Sequence, residues 1–146
     1  MSLEGLYQEI ILDHYKNPRN HGRMENPDIE IFESNPLCGD EMCIQIRLDG
    51  DSIKDIRFDG KGCSISQASA SMMSEAVKGH PHSHAKKYID GIKSMMRGEG
   101  KMTDEELGDM ESLQGVADFP ARVKCALLAW TSLEKALNEK IPSREK

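Results

Sequence analysis

The stretch MCIQIRLDGDSIKDIRFD, residues 42–59, decides the fold of this chain. Its first half alternates strictly, so the apolar residues fall on one face of a strand and the polar residues, with Cys43, fall on the other. The tight-turn sequence Asp49-Gly50-Asp51 follows, and then a second strand-like run. We therefore predict an antiparallel hairpin of Met42–Asp49 and Ser52–Asp59, with Cys43 facing away from the apolar core.

The segments on either side of this hairpin extend the pattern. Ile29–Ser34 is a further strand candidate. After Gly60-Lys61-Gly62 the period becomes helical, residues 63–77 are rich in Ala and Ser, and Gly79 is a plausible helix terminator. We expect Cys63 to lie where a strand ends and a helix begins, because the free N–H groups and the dipole of a helix start stabilise a thiolate.

Helical periodicity predicts four more helices. The first carries His14 on its apolar face and ends at Asn17-Pro18; we expect His14 to be a hydrogen-bonded, partly buried residue in preference to a metal ligand. The last begins near Asp118-Phe119-Pro120 and places Trp130 in the core. The other two are residues 85–96 and a short helix that runs from a capping-box Thr103 towards Met110.

Composition excludes several classes of function. A formal net charge of −6 argues against a nucleic-acid partner or an anionic membrane surface. No run of about 18 apolar residues is present, which predicts no membrane span. The N-terminus has no secretion-signal pattern, so we expect a cytoplasmic protein, and the length of 146 residues predicts a single domain over residues 1–146.

The four cysteines bear most directly on function, because a reducing cytosol favours metal binding or catalysis over disulfides. Cys38 and Asp40 lie two apart in a loop, and Cys63 and Cys125 follow singly. Three thiolates and a carboxylate form a ligand set that suits Zn²⁺ or iron–sulfur chemistry. Structural zinc sites usually gather their ligands in close pairs, so the scattered arrangement favours a working site. The alternative is a set of unrelated buried thiols.

Two other features resemble metal ligands but are predicted not to be. Cys43 lies on the wrong strand face, and we expect it to stay outside the site. The run His80-Pro81-His82-Ser83-His84 could bind metal weakly, but without an ordered scaffold it is interpreted as a surface connector.

Four motifs follow one another along the chain: Tyr7…Asp13-His14-Tyr15-x-x-Pro18-Arg19-Asn20, Asn35-Pro36-Leu37-Cys38-Gly39-Asp40, Gly60-Lys61-Gly62-Cys63-Ser64-Ile65-Ser66 and Arg122-Val123-Lys124-Cys125-Ala126. Through these motifs the chain resembles the U-type iron–sulfur cluster assembly family (IscU, NifU and SufU), and the resemblance covers nearly its whole length, in order. It implies an α+β fold, a compact domain with a three-stranded antiparallel sheet and helices packed on it. The SufU branch is the closer match, because of the long segment Gly79 to Phe119 and the basic Lys124 before the third cysteine.

Two departures from the IscU branch shift the expected metal. That branch has a histidine where this chain has Lys124, and it carries a Leu-Pro-Pro-Val-Lys chaperone motif where residues 118–124 read DFPARVK. Chaperone-driven cluster release is therefore not expected. With no histidine available, the carboxylate of Asp40 completes the ligand set, which favours zinc.

The resemblance implies a zinc-dependent sulfur acceptor of sulfurtransferase type. A PLP-dependent cysteine desulfurase would form a persulfide, and Cys38, on a Gly-flanked loop, would accept its terminal sulfur while Cys63 and Cys125 keep the metal. Asp40 is a hard ligand beside soft thiolates, so we expect its removal to slow metal or cluster exchange. The recipients would be iron–sulfur apo-proteins or a downstream scaffold.

Two alternatives remain open at this point. In the first, Cys38, Cys63 and Cys125 bind iron and hold a transient [2Fe–2S] cluster, which this scaffold hands to apo-proteins. In the second, the same ligands form a structural zinc module that only binds partners.

Overall fold

The predicted hairpin is present and supplies two strands of a three-stranded antiparallel sheet, in the order β1-β2-β3. The computed structural model describes residues 3–35, 39–99, 102 and 104–140. Its strands are β1 (Ile29–Asn35), β2 (Asp40–Asp49) and β3 (Ser52–Lys61). Its helices are α1 (Leu3–Lys16), α2 (Ser64–Val77), α3 (His82–Met96), α4 (Asp104–Leu107) and α5 (Pro120–Lys140), with a 3₁₀ helix at Gly108–Asp118 between the last two. The predicted fold class, α+β with helices on an antiparallel sheet, is confirmed.

The alternation of β2 places its apolar face in the core, as predicted. Ile44 lies opposite Ile31 of β1 and Phe58 of β3, so apolar side chains run across all three strands. Ile44 and Phe58 are fully buried. β2 begins two residues earlier than predicted, at Asp40, because β1 continues to Asn35 and pairs with it. Asp40 is therefore a strand residue and not the loop residue that we expected.

A single buried cluster joins the sheet to α2 and α5. Trp130, fully buried as predicted, donates a hydrogen bond from Nε1 to Ser69 Oγ over 3.0 Å. Ser69 Oγ in turn donates to the carbonyl of Ala126 over 2.6 Å. The small buried residues of α2 allow this close approach of the two helices.

Cys43 lies on the face of β2 opposite the core cluster, as predicted, but this face is covered by other parts of the chain. Cys43 and Gln45 are buried despite facing opposite the apolar stripe. The segment between α1 and β1 crosses this face: the Met24 N–H donates to Gln45 Oε1 over 2.7 Å. The Arg23 guanidinium lies over the Phe32 ring, 5.7 Å from its centroid.

The histidine run is a surface connector only as far as Pro81, because α3 begins earlier than predicted. Pro81 occupies the N-cap position, so His82 and His84 belong to the helix. The His82 N–H donates to the carbonyl of Asp51 in the hairpin turn over 2.8 Å, which fixes the start of the helix. The short helix predicted towards Met110 ends at Leu107 and continues as 3₁₀ helix, and its predicted cap, Thr103, lies outside the described residues.

None of the helices in the described part of the chain combines the length and apolar character that crossing a membrane requires.

Candidate metal centre

Three of the four predicted ligands converge on one point. Asp40 begins β2, Cys63 immediately precedes α2 and Cys125 lies in α5. One ligand atom from each, a carboxylate oxygen and two sulfur atoms, lies within 4.8 Å of the other two. The fourth predicted ligand, Cys38, lies outside the described residues.

Asp40 holds the backbone of the cysteine loop. Its side chain is fully buried, and its Oδ1 accepts a hydrogen bond from the Cys63 N–H over 3.0 Å. That N–H is one of the donors that a helix start leaves without a helical partner. The carboxylate therefore positions Cys63 and presents a negative charge to the space between the thiols.

The loop between β3 and α2 requires glycine. A Cβ on Gly62 would lie 2.5 Å from Asp40 Oδ1 and 2.4 Å from Ser66 Oγ, well inside van der Waals contact. Gly60 has a φ of 134°, and a Cβ there would lie 2.2 Å from the carbonyl oxygen of Glu41. The absence of side chains at both positions lets the loop pass directly over Asp40.

Cys63 occupies the N-cap position of α2, as predicted, with extended backbone angles and no capping hydrogen bond from its side chain. The hydroxyl of Ser66 donates to the Cys63 carbonyl over 3.0 Å and lies 3.9 Å from Sγ. The thiol is only partly buried. It is therefore held at a defined point while remaining within reach of a reagent or a partner.

Cys125 approaches the same point from the opposite side and is almost completely buried. Its thiol lies 3.7 Å from the carbonyl of Ala121, one turn earlier in α5. The next residue, Ala126, accepts the Ser69 hydroxyl. The hydrogen bond from Ser69 of α2 to Ala126 of α5 therefore helps to set the distance between Cys63 and Cys125.

A groove of about 670 Å³ leads to Cys63. Its walls come from α1, the start of α2, the 3₁₀ helix and the start of α5. Tyr7 and Ile11 line one side, and Phe119, whose side chain is strongly exposed, lines the other. The thiol of Cys63 is thus approached across a largely apolar surface.

Neither Cys43 nor the histidine run contributes to this cluster in the described part of the chain. Burial raises the pKa of the Cys43 thiol, which disfavours the thiolate that metal binding requires. His80 and His84 stack on each other, with ring centroids 4.1 Å apart. That both features stay outside the metal centre remains a prediction.

Sequence reasoning missed the serines that position the cysteines. Ser66 and Ser69 entered the prediction only as part of the Ala- and Ser-rich run, but they hydrogen-bond to Cys63 and to Ala126. Their spacing of three and six residues from Cys63 was the available signal, since helical spacing places Ser66 beside Cys63 and Ser69 on the face towards α5. His14 has a hydrogen-bond partner at each ring nitrogen, Ser71 and Asp109, as predicted for a satisfied histidine.

The chain is similar in sequence to proteins whose names describe sulfur transfer or iron–sulfur cluster assembly. The zinc-dependent sulfurtransferase SufU of Bacillus subtilis (strain 168) is 48% identical over 136 residues, which cover 93% of this chain and 92% of that protein. The iron–sulfur cluster assembly scaffold protein IscU of Streptococcus pyogenes serotype M1 is 41% identical over 135 residues, which cover 92% of this chain and 84% of that protein.

Solved structures show the same architecture. A crystal structure of an iron–sulfur cluster assembly scaffold protein for the SUF system from Fervidobacterium islandicum AW-1 matches with a TM-score of 0.85 and 37% identity, covering 93% of this chain and 99% of that one. A NifU-like N-terminal protein from Brucella abortus has the same fold, with a TM-score of 0.86 at 22% identity, covering 97% and 98%. The family described as the NifU-like N terminal domain matches residues 6–126. The chain belongs to this family.

Proposed function

We propose that this chain is a zinc-dependent sulfur acceptor in iron–sulfur cluster assembly, which takes persulfide sulfur from a PLP-dependent cysteine desulfurase in the cytoplasm. The convergence of Asp40, Cys63 and Cys125 carries the proposal. The relative from Bacillus subtilis, which is named for zinc-dependent sulfur transfer, supports it. We take residues 1–146 to form one domain with this single function.

The donor set fits zinc. Two thiols and a buried carboxylate share one space, and Cys38, two residues before Asp40, would supply a third thiolate. Three sulfurs and one oxygen make up the four ligands that zinc prefers. Bound zinc would keep the cysteines deprotonated and protected from oxidation.

Cys38 is the residue that carries out the proposed sulfur transfer. Its thiolate attacks the terminal sulfur of the desulfurase persulfide, a new S–S bond forms at Cys38, and the S–S bond of the donor breaks. The donor cysteine leaves as a thiolate, and Cys38 then carries the persulfide, so no external oxidant or reductant is required. Asp40, Cys63 and Cys125 remain in place because each is anchored by its own element.

The open groove supports a working site over a purely structural one. Cys63, which is partly exposed, and Phe119, which is strongly exposed, both line it. An exposed aromatic beside a reactive thiol offers apolar surface to a partner protein. A metal module with no role beyond folding would need no such approach to its sulfur atoms.

A scaffold function is the second candidate, favoured by the similarity to the IscU protein of Streptococcus pyogenes. In that case Cys38, Cys63 and Cys125 would ligate iron and hold a [2Fe–2S] cluster for transfer to apo-proteins. Anaerobic reconstitution with iron and sulfide, followed by transfer to an apo-ferredoxin, separates this function from sulfur acceptance.

The test is desulfurase turnover in the presence of the full chain, either zinc-loaded or stripped by a chelator. We expect strong stimulation by the zinc-loaded protein, its loss in Cys38→Ser, and a mass increase of one sulfur atom on Cys38 during turnover. Cys43→Ser is the matched control, because that buried thiol lies outside the cluster.

The outcomes separate the three functions. Stimulation that survives Cys38→Ser would contradict the proposed acceptor. No stimulation by either form, together with a transferable cluster, would establish the scaffold. Unfolding on zinc removal, with no effect on turnover, would indicate the structural module.

A further inference from the structure

A second group of metal-ligating side chains lies away from the cysteines. His14 of α1, Glu75 of α2 and Asp109 of the 3₁₀ helix each place one ligand atom within 4.8 Å of the other two. His14 Nε2 lies 2.8 Å from Asp109 Oδ2 and 3.9 Å from Glu75 Oε1. Two carboxylates from different elements therefore face one imidazole nitrogen.

The other face of His14 is already arranged as it is in metal-binding histidines. The residue is fully buried, and its Nδ1 lies 2.8 Å from Ser71 Oγ, which also accepts the Arg19 N–H over 2.9 Å. Cation binding would require the proton on Nδ1, from which His14 would donate to Ser71, and Nε2 would exchange its hydrogen bond to Asp109 for the metal. A hydrogen bond from the second ring nitrogen is the usual support for a metal-binding imidazole.

Glu75 is the feature that a simple hydrogen-bonded histidine does not explain. Asp109 alone satisfies Nε2. The carboxylate of Glu75 makes no side-chain hydrogen bond within the described residues, and its ion pairs with His14 and Arg19 are both long, at 3.9 Å. It is a second negative charge held next to the same nitrogen without a close partner.

The group is also open to solvent. The side chains of Glu75 and Asp109 are 49% and 53% exposed. Both line a cavity of about 240 Å³, as does Glu106, whose carboxylate pairs with Lys87. Arg19, the only cation that contacts Glu75 in the described chain, also pairs with Asp13, so the local charge remains negative.

We propose that His14, Glu75 and Asp109 form a second site, which binds a divalent first-row cation such as Mn²⁺, Fe²⁺ or Co²⁺. One imidazole and two carboxylates, without sulfur, suit these cations better than they suit a soft metal. The site is independent of the proposed cysteine centre and goes beyond the proposed sulfur transfer. The exposed carboxylates make it the weaker and more readily exchanged of the two.

The position of this site suggests a structural consequence. Its ligands come from α1, α2 and the 3₁₀ helix, and these three elements also wall the groove that leads to Cys63. A cation that joins them would hold the groove walls together, so binding should raise the thermal unfolding temperature.

The test is Mn²⁺ titration of the full chain with zinc already bound, because Mn²⁺ prefers oxygen and nitrogen ligands and leaves thiolate sites to zinc. Loss of the free Mn²⁺ EPR signal measures binding, and paramagnetic broadening of the imidazole NMR signals locates it. We expect one Mn²⁺ per chain, broadening of His14, and affinity weakened at least about tenfold in Glu75→Gln.

Glu105→Gln is the matched control, since this exposed glutamate of α4 lies outside the group. Glu75→Gln is preferred to a His14 variant because the Glu75 side chain is half-exposed and its loss leaves the hydrogen bonds of His14 intact. No Mn²⁺ binding, binding unchanged in Glu75→Gln, or an unbroadened His14 would each show that the group is only a hydrogen-bonded link between helices.

Discussion

The buried carboxylate of Asp40 accepts the backbone N–H of Cys63 over 3.0 Å, so one proposed ligand holds the main chain of another. The two residues are far apart in sequence and meet because β2 begins beside the end of β3, where Glu41 pairs with Lys61. Asp40 therefore has two functions that mutation can separate: its oxygen satisfies a backbone donor, and its charge faces the thiols.

The first prediction concerns the stability of the metal-free protein. Asp40→Ala leaves the Cys63 N–H without its acceptor, so the free energy of unfolding should fall by about 1–3 kcal/mol. Asp40→Asn retains a side-chain oxygen and should lose less than half of that amount. Urea unfolding of both variants without metal measures the difference, and equal losses would contradict the proposed hydrogen-bonding function.

The second prediction concerns metal exchange. A carboxylate is the hard member of a set of soft ligands, so a bound metal or cluster should exchange more slowly in Asp40→Ala than in the wild type. The measurement is the rate of zinc transfer to a chromogenic chelator. Weaker zinc binding without slower exchange would show that Asp40 is an ordinary ligand.

The third prediction concerns the loop glycine. In Gly62→Ala the new methyl group would overlap Asp40 Oδ1 and Ser66 Oγ, so both side chains must move. Overpacking of this kind costs about 1–3 kcal/mol, and zinc affinity should fall because Asp40 is displaced. Gly115→Ala is the control, since its Cβ would meet nothing within 4 Å. Unchanged zinc affinity in Gly62→Ala would show that the loop tolerates the methyl group.

The fourth prediction concerns the link between α2 and α5. Ser69→Ala removes the partner of the buried Trp130 N–H, so the free energy of unfolding should fall by about 1–3 kcal/mol. Thr131→Ala should change it little, because that exposed hydroxyl contacts only carbonyls of its own helix. The fluorescence of Trp130, the only tryptophan in the chain, reports unfolding directly. Equal stability of the two variants would rule out the proposed link.

The fifth prediction concerns acid sensitivity. The Gly60 N–H, first, and the Arg23 guanidinium hold the pKa of Asp59 below its ordinary value of 3.8. Because the folded state lowers this pKa, its stabilising contribution is complete above the unfolded value and is lost as the pH falls through the folded one. The wild type should therefore be more stable than Asp59→Asn near neutral pH, and the difference should shrink below about pH 4.

Urea unfolding between about pH 7 and about pH 3 measures this difference, with Asp49→Asn, at the exposed end of β2, as the control. A difference between the wild type and Asp59→Asn that stays constant over this range would contradict the assignment.

Much of the fold could be predicted from local patterns in the sequence. Strict alternation predicted that Ile44 faces the core, and the helical period of the Ala- and Ser-rich run after Cys63 predicted a helix. Both depend on periodicity, which a short window of sequence contains. The predicted start of α3 was wrong. The N–H of His82 donates to the carbonyl of Asp51 in the hairpin turn, and no local sequence pattern indicates that contact.

By itself, the sequence determined the strands, the helices, the residue types of the proposed metal centre and, through its motifs, the family. Only the tertiary structure decided that Cys63 and Cys125 meet beside Asp40, that Cys43 is covered, and that Glu75 and Asp109 approach His14. The physical reason is the sequence distance over which each effect acts. Periodicity and capping act over a few residues, whereas these contacts join distant elements that burial of a common core brings together.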